Sequence, residues 1–218
     1  ANGGRSYLPP LRDPRKGAPR LVYAPHLYSV ALEANGRFDE EMDRTVESWE
    51  ARRKEELERL SVPIVLGEWG LTYSTENAEA FVRQIAELSD RMILSWAHWS
   101  WDPSGPTSWA LFDRETGRAN PLFYAVERPY PRATAGEPLE LRYDEETRTV
   151  EFRWRRRAGV KGETEVYFPP ARDEGSERFE VELEGEATYR WDETIEGLLR
   201  IEADAKKDEH WLRIRPKI

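Results

Sequence analysis

Cysteine is absent from this chain of 218 residues, and there are only two methionines and three histidines. Without cysteine there is no disulfide, no thiolate metal site and no cysteine nucleophile, and thiol usage cannot separate the cytosol from a disulfide-free secreted bacterial protein. His26, His98 and His210 lack metal-ligand spacing, and no glycine-rich phosphate loop or nucleophile-elbow serine occurs. Neither a metal nor a cofactor is expected. No stretch approaches the ~18 uninterrupted apolar residues of a spanning helix. Positive charge is short as well: 33 Lys and Arg against 42 Asp and Glu leave a net charge of -9, which would repel a phosphate backbone, so nucleic acid is not an expected partner. Apolar side chains are plentiful by contrast. They make up 39% of the chain, with nine Trp, nine Tyr and seven Phe, enough for a sizeable core, and that excludes disorder for most of the chain.

The chain opens Ala1-Asn2-Gly3-Gly4 with no Met, no basic segment and no apolar leader. Residues 1–20 hold three Gly and four Pro and no apolar period, which reads as a surface loop. The expectation is a fold entered midway, its first half lying elsewhere. Leu21-Val22-Tyr23-Ala24 then reads as a buried strand. Over residues 38–60 the spacing Phe38, Met42, Val46, Trp49, Leu57, Leu60 predicts a long surface helix, acidic early and basic late. Pro63-Ile64-Val65-Leu66 repeats the strand pattern and stops at Gly67-Glu68-Trp69-Gly70. Thr75, a candidate N-cap, precedes a second helix with Ala78, Phe81, Val82, Ile85, Ala86 and Leu88 inward. A third strand is expected over residues 92–96, and a last short helix starts at Pro121.

Strands alternating with helices, the strands wholly apolar, point to a parallel sheet covered by helices. A (β/α)8 barrel takes about 250 residues, so three units would be its last three, or else an open three-layer sheet. Past residue 133 the period becomes two: Leu139/Leu141/Tyr143, Val150/Phe152/Trp154, Phe179/Val181/Leu183, Leu199/Ile201 and Leu212/Ile214 alternate with charges. About seven short antiparallel strands imply a β-sandwich. The expected class is therefore α/β followed by all-β, with domains over residues 1–133 and 134–218. The second segment holds 22 acidic and 16 basic residues, spread by the alternation over outer strand faces, which favours solvated faces over an acidic binding surface.

In parallel α/β folds catalytic groups gather at the carboxyl ends of the strands. Glu68 follows an apolar strand directly, between glycines that give a ligand room, and suits a nucleophilic carboxylate. His26 and Tyr28 share strand parity, so both point to one side, where a phenol donating to Glu68 would favour its ionised form. Flat aromatic faces are platforms for sugar rings: Trp99 and Trp101, beyond the third strand, are placed in a pocket, with Trp69 beside Glu68, whereas Trp96 is assigned to the core. Retaining glycosidases need two carboxyl groups ~5–5.5 Å apart. Asp102 and Asp113 have no apolar strand behind them, so neither is nominated as the second.

Four segments together carry a resemblance: Tyr23-Ala24-Pro25-His26-Leu27-Tyr28, Pro63-Ile64-Val65-Leu66-Gly67-Glu68-Trp69-Gly70, the Trp-rich residues 95–103, and Arg128-Pro129-Tyr130-Pro131-Arg132-Ala133. In order, they resemble the C-terminal half of endoglycoceramidases, retaining enzymes of glycoside hydrolase family 5. The resemblance implies the last part of a (β/α)8 barrel followed by a β-sandwich, with Glu68 as nucleophile, His26 and Tyr28 beside it, and Trp99 at the first sugar. It also implies secretion, a glycosphingolipid substrate and hence peripheral contact with a membrane surface. The family's acid/base glutamate sits in an Asn-Glu-Pro motif, and no Asn-Glu-Pro occurs here. The expected partner is therefore an N-terminal half that supplies it. Two alternatives stand beside this one: a non-catalytic carbohydrate- or glycolipid-binding module, and a related β-glycosidase acting on glucosylceramide or β-glycans.

Overall fold

The computed structural model describes residues 4–10, 12–17, 20–101, 109–113, 115–170 and 179–217. It divides into two compact units, Ala1–Val126 and Glu127–Ile218. The sequence pattern placed this division at residue 133. The difference arises because strand β4 (Tyr130–Ala133) pairs antiparallel with a strand of the second unit and so belongs to it.

The first unit carries a parallel three-stranded sheet, β1 (His26–Leu27), β2 (Val65–Trp69) and β3 (Ser95–His98), in that order. Helices α1 (Val30–Asn35) and α2 (Thr45–Leu60) follow β1, α3 (Ala78–Met92) follows β2, and α4 (Pro121–Val126) comes last. The first strand lies further along than expected. Tyr23 makes an isolated parallel bridge to Ile64, Pro25 has no N–H to give, and the ladder resumes at His26. The expected long helix is split: Phe38 is buried outside any helix, its N–H donating to Glu76, while residues 39–43 turn on the Asp39 side chain and Met42 is 81% exposed. Helix α1 is an element that the apolar spacing missed. Ser29 caps it by accepting from Leu32, and Gly36 ends it in the left-handed region that glycine tolerates. Helix α3 buries Ala78, Phe81, Val82, Ile85, Ala86 and Leu88 as expected, although Asn77, not Thr75, is its N-cap residue. Because α3 continues through Met92 and closes on Ile93, β3 starts at Ser95.

The inner face of α2 holds a buried ion pair that apolar periodicity could not reveal. Val46, Trp49, Arg53 and Glu56 are its buried residues. Arg53 pairs with Glu56 at 2.7 Å and donates to the Gly4 carbonyl, while Tyr23 donates to Glu56 at 2.8 Å and the Ser6 N–H adds a third donor. Burial opposes ionisation of Glu56, but these donors and the Arg53 charge outweigh it and hold the carboxyl below its usual range. One face of the sheet is covered: Leu27, Leu66 and Trp69 join the helices in one core. On β1 and β3 and the residue stretch before β1, alternate positions (Val22, Ala24, His26, Ser95 and Ala97) are exposed. Among the described residues, no strand pairs the outer edges of β1 and β3.

Among its described residues the second unit is a sandwich of eight strands. The sheet β4, β7 (Thr164–Tyr167), β10 (Leu198–Glu202), β9 (Thr188–Trp191) faces the sheet β5 (Glu137–Asp144), β6 (Thr149–Arg155), β11 (Glu209–Pro216), β8 (Phe179–Leu183). Val166, Phe168, Leu199 and Ile201 from the first meet Leu141, Val150, Phe152, Trp154, Leu212 and Ile214 in one core. The charged alternate positions pair across strands, as in the row Arg142, Glu151, Arg213, Glu182, where Arg213 bonds Glu151 at 2.8 Å and reaches Glu182 at 3.4 Å. Many of the charged residues of this segment thus stand in solvated cross-strand pairs.

These two kinds of pair predict different costs. Glu56→Ala leaves Arg53 buried and unpaired and should cost about 3–5 kcal/mol, whereas Glu182→Ala, on an exposed face, should cost at most about 1 kcal/mol. Equilibrium denaturation of both variants checks this, and equal costs would refute the distinction.

Candidate active site

The parallel pairing of β1 with β2 sets His26 opposite Glu68 and Leu27 opposite Trp69. Side chains on adjacent strands in such register lie within reach of each other, and His26 Nδ1 stands 2.8 Å from Glu68 Oε2. Tyr28, one residue past β1, hydrogen-bonds the same carboxylate. Its phenol is pushed far above its ordinary range, first by burial, then by the bond to Glu68 and by that residue's charge. Tyr28 is therefore a protonated donor at every physiological pH. Glu68 remains partly open, its side chain 27% exposed. The structure thus brings Glu68, His26 and Tyr28 into one cluster.

Close approach requires glycine at Gly70 and leaves little room for more at Gly67. A Cβ on Gly67 would lie 3.1 Å from the Ala24 carbonyl oxygen and 3.2 Å from the His26 ring, crowding the imidazole that faces Glu68. A Cβ on Gly70 would collide with the Trp99 carbonyl oxygen. The bare Gly70 backbone lets the chain leaving β3 lie along the end of β2, where the Trp99 N–H donates to the Trp69 carbonyl at 2.7 Å. The Trp99–Ser100 peptide is cis.

The aromatic residues divide differently from expectation. Trp69 is fully buried and meets Trp96 and His98 edge-on at 5.4 and 5.0 Å. Packed there it has no free face for a sugar, which corrects its assignment to substrate binding. The register shift between β2 and β3 accounts for this by turning Trp69 into the core with Leu66. Trp99 is 53% and Trp101 68% exposed, and Trp101 leans on Phe112 at 4.5 Å. Trp109, left unassigned by sequence reasoning, meets Tyr28 edge-on at 5.4 Å. Its one mark in the sequence is its place shortly after the Trp-rich residues 95–103. Asp113 accepts from the Thr116 N–H and hydroxyl at 2.7 and 2.8 Å, which engages it in a turn, and Asp102 lies outside the described residues. Among the described residues, no group of three His, Asp or Glu is placed to hold a metal ion, and no helix is long and apolar enough to cross a membrane.

This geometry can be set against known proteins. The family description "Cellulase (glycosyl hydrolase family 5)" matches residues 3–105, and "Glycoside hydrolase family 5 C-terminal domain" matches residues 128–214. No curated protein matches the chain. Among solved structures, endo-glycoceramidase II from Rhodococcus sp. in its ganglioside GM3 complex is 28% identical with a TM-score of 0.84, covering 100% of this chain and 47% of that one. The same enzyme as a lactosyl-enzyme intermediate is 29% identical with a TM-score of 0.80, at 100% and 47% coverage. Sterylglucosidase 1 from Cryptococcus neoformans, at 15% identity, a TM-score of 0.60 and 79% and 31% coverage, shares the fold. The chain spans about half the length of the Rhodococcus enzyme and matches its C-terminal half.

His98, behind Trp69, generates a pH prediction. Among the described residues neither of its ring nitrogens has a hydrogen-bond partner, and burial lowers its pKa from 6.5 to about 4. Between those values the unfolded chain takes up a proton that the folded one refuses. The stabilisation is therefore complete above pH 6.5 and is lost as pH falls toward 4, by about 2 kcal/mol at pH 5. A His98→Leu variant should flatten the fall in unfolding free energy between pH 6.5 and 5. An unchanged slope would refute the assignment.

Proposed function

Because the chain belongs to glycoside hydrolase family 5, we propose that it is the nucleophile-bearing half of a retaining glycosidase that cleaves the β-glycosidic bond between oligosaccharide and ceramide in glycosphingolipids. The observation that carries this reading is the partly open Glu68 carboxylate at the end of β2, held by His26 at 2.8 Å and by the Tyr28 phenol. In a double displacement one Glu68 oxygen attacks the anomeric carbon as the leaving oxygen takes a proton from an acid. A glycosyl ester forms, and water, deprotonated by the same acid/base group, then releases the sugar. His26 and Tyr28 fix the direction of the attacking carboxylate, so little reorganisation is left for the chemical step. Support for a covalent route comes from the similarity to an enzyme solved as a lactosyl-enzyme intermediate, and for the substrate class from its ganglioside GM3 complex.

Both partners of Glu68 are donors that serve a nucleophile, and no Asn-Glu-Pro is present in the chain. The acid/base glutamate is accordingly assigned to a partner, the N-terminal half of the same barrel, which would also cover the exposed alternate positions on β1 and β3. Trp99 and Trp101 are assigned to the sugars. Action outside the cell, with the sandwich near a membrane surface, is part of the same proposal and rests on the family resemblance.

The test traps the ester. With the enzyme containing both halves, a 2-deoxy-2-fluoro β-lactoside bearing a good leaving group should accumulate a glycosyl-enzyme whose label maps by mass spectrometry to Glu68. Glu68→Gln should abolish labelling, since an amide is a far weaker nucleophile. Label on another carboxylate, or full turnover by Glu68→Gln, refutes the assignment. Release of intact oligosaccharide and ceramide from a ganglioside supports the substrate class, and turnover of cello-oligosaccharides alone overturns it.

Recognition is tested separately. Trp99→Ala should lower kcat/KM about tenfold or more through lost stacking, while Trp211→Ala, in strand β11 of the sandwich, should leave kinetics nearly intact. Equal losses at unchanged stability would count against the pocket assignment.

A further inference from the structure

We infer that Trp109 is a positioning residue for the nucleophile, acting through the Tyr28 ring. The inference rests on the reading of Glu68 given above. Tyr28 follows β1 by one residue, and its phenol reaches Glu68 only if the ring takes the right direction about two side-chain torsions. The cross-strand ladder fixes His26 opposite Glu68, but that ladder ends at Leu27, so Tyr28 needs another constraint. Trp109 supplies one. Its indole meets the Tyr28 ring edge-on, with centroids 5.4 Å apart and planes at 64°, a geometry aromatic pairs favour beyond simple burial.

The indole is itself held. Trp109 Cε3 lies 3.3 Å from where a Cβ on Gly70 would stand, so the missing side chain of Gly70 leaves the space against which the indole rests. The Trp109 carbonyl accepts from the Ser100 N–H at 3.2 Å. The next residue, Ala110, is fully buried, and its carbonyl accepts from the Asn120 side chain at 2.6 Å. A chain of contact therefore runs from the glycine that closes the Glu68 turn, through Trp109 and Tyr28, back to the Glu68 carboxylate. Trp109 touches neither Glu68 nor, on this assignment, the substrate.

A double-mutant cycle in the enzyme containing both halves tests this. Glu68 ester formation is followed as the inactivation rate by the 2-deoxy-2-fluoro β-lactoside, and steady-state hydrolysis supplies kcat and KM. Trp109→Leu should slow inactivation and lower kcat about three- to tenfold with KM nearly unchanged, and Trp109→Phe, which keeps an aromatic edge, should recover most of the loss. In a Tyr28→Phe background Trp109→Leu should cost almost nothing further, because the phenol it positions is gone. Equal losses in both backgrounds would overturn the inference, as would a rise in KM alone, the mark of a sugar platform. If Glu68→Gln retained full activity, the nucleophile reading itself would fall, an outcome distinct from either.

Discussion

The register of β1 against β2 is the constraint on which the site depends. Parallel strands cannot be joined by a tight turn, so the chain between Leu27 and Val65 must travel back along the outside of the sheet, which it does as α1 and α2. Those helices bury Leu32, Val46 and Trp49 in the core shared with Leu27, Leu66 and Trp69, and the Trp49 indole donates to the His26 carbonyl at 2.9 Å. The crossover therefore fixes the position of β1. A slip of one residue would turn His26 away from Glu68 and bring Leu27 to the open side. The pairing of His26 with Glu68 and the burial of Leu27 are thus two consequences of one alignment.

That dependence explains what could be read from the sequence. Glu68 was legible because an apolar run stops there between two glycines, and His26 with Tyr28 because two residues of equal parity end a neighbouring run. Helix α3 was legible since its inward positions from Ala78 to Leu88 are apolar, and the inward positions of β6, β8, β10 and β11 followed from alternation, whereas Leu139 lies at an irregularity of β5 and outside the core cluster. Trp69 was misread for a specific reason. Counted by parity from the buried Leu66, Trp69 would lie on the open side, but the local irregularity between β2 and β3 puts both in the core, and it leaves no mark in composition. Helix α2 was read through Leu57 and Leu60, both only partly buried, because periodicity counts apolar residues and the innermost positions include Arg53 and Glu56.

The two units handle charge in opposite ways. In the first, Arg53 and Glu56 are taken out of water and donors from Arg53, Tyr23 and the Ser6 backbone are turned on the carboxylate, an arrangement that is costly to break and ties the segment around Ser6 to α2. In the sandwich, arginines and glutamates alternate along the outer faces and meet across strands at the surface, where each pair contributes little energy. They mark register in one place and not in another: a shift by two residues would set Arg142 of β5 opposite Arg153 of β6, whereas on β8 Glu180 and Glu182 would still meet an arginine of β11. A charged residue therefore carries different information in each unit: position along a helix in one and, between β5 and β6, strand register in the other.

The open side of the three-stranded sheet bears on how much of a reaction the chain can hold. A parallel sheet buried on one face only, with both outer edges unpaired among the described residues, is an arrangement that parallel sheets rarely keep. Small side chains, Ala24, Gly67, Ser95 and Ala97, occupy that face, and small residues suit a position where side chains from other strands come to fill the interior of a closed barrel. The same closure bears on the chemistry. In the double displacement proposed above, an ester on Glu68 needs a second carboxyl group that gives a proton in one step and takes one in the next, whereas His26 and Tyr28 both face Glu68 as donors and are committed to holding it. On the function proposed above, the partner half that covers this face is also the half that brings the acid, so the open face of the sheet and the lack of a second carboxyl group beside Glu68 become one requirement.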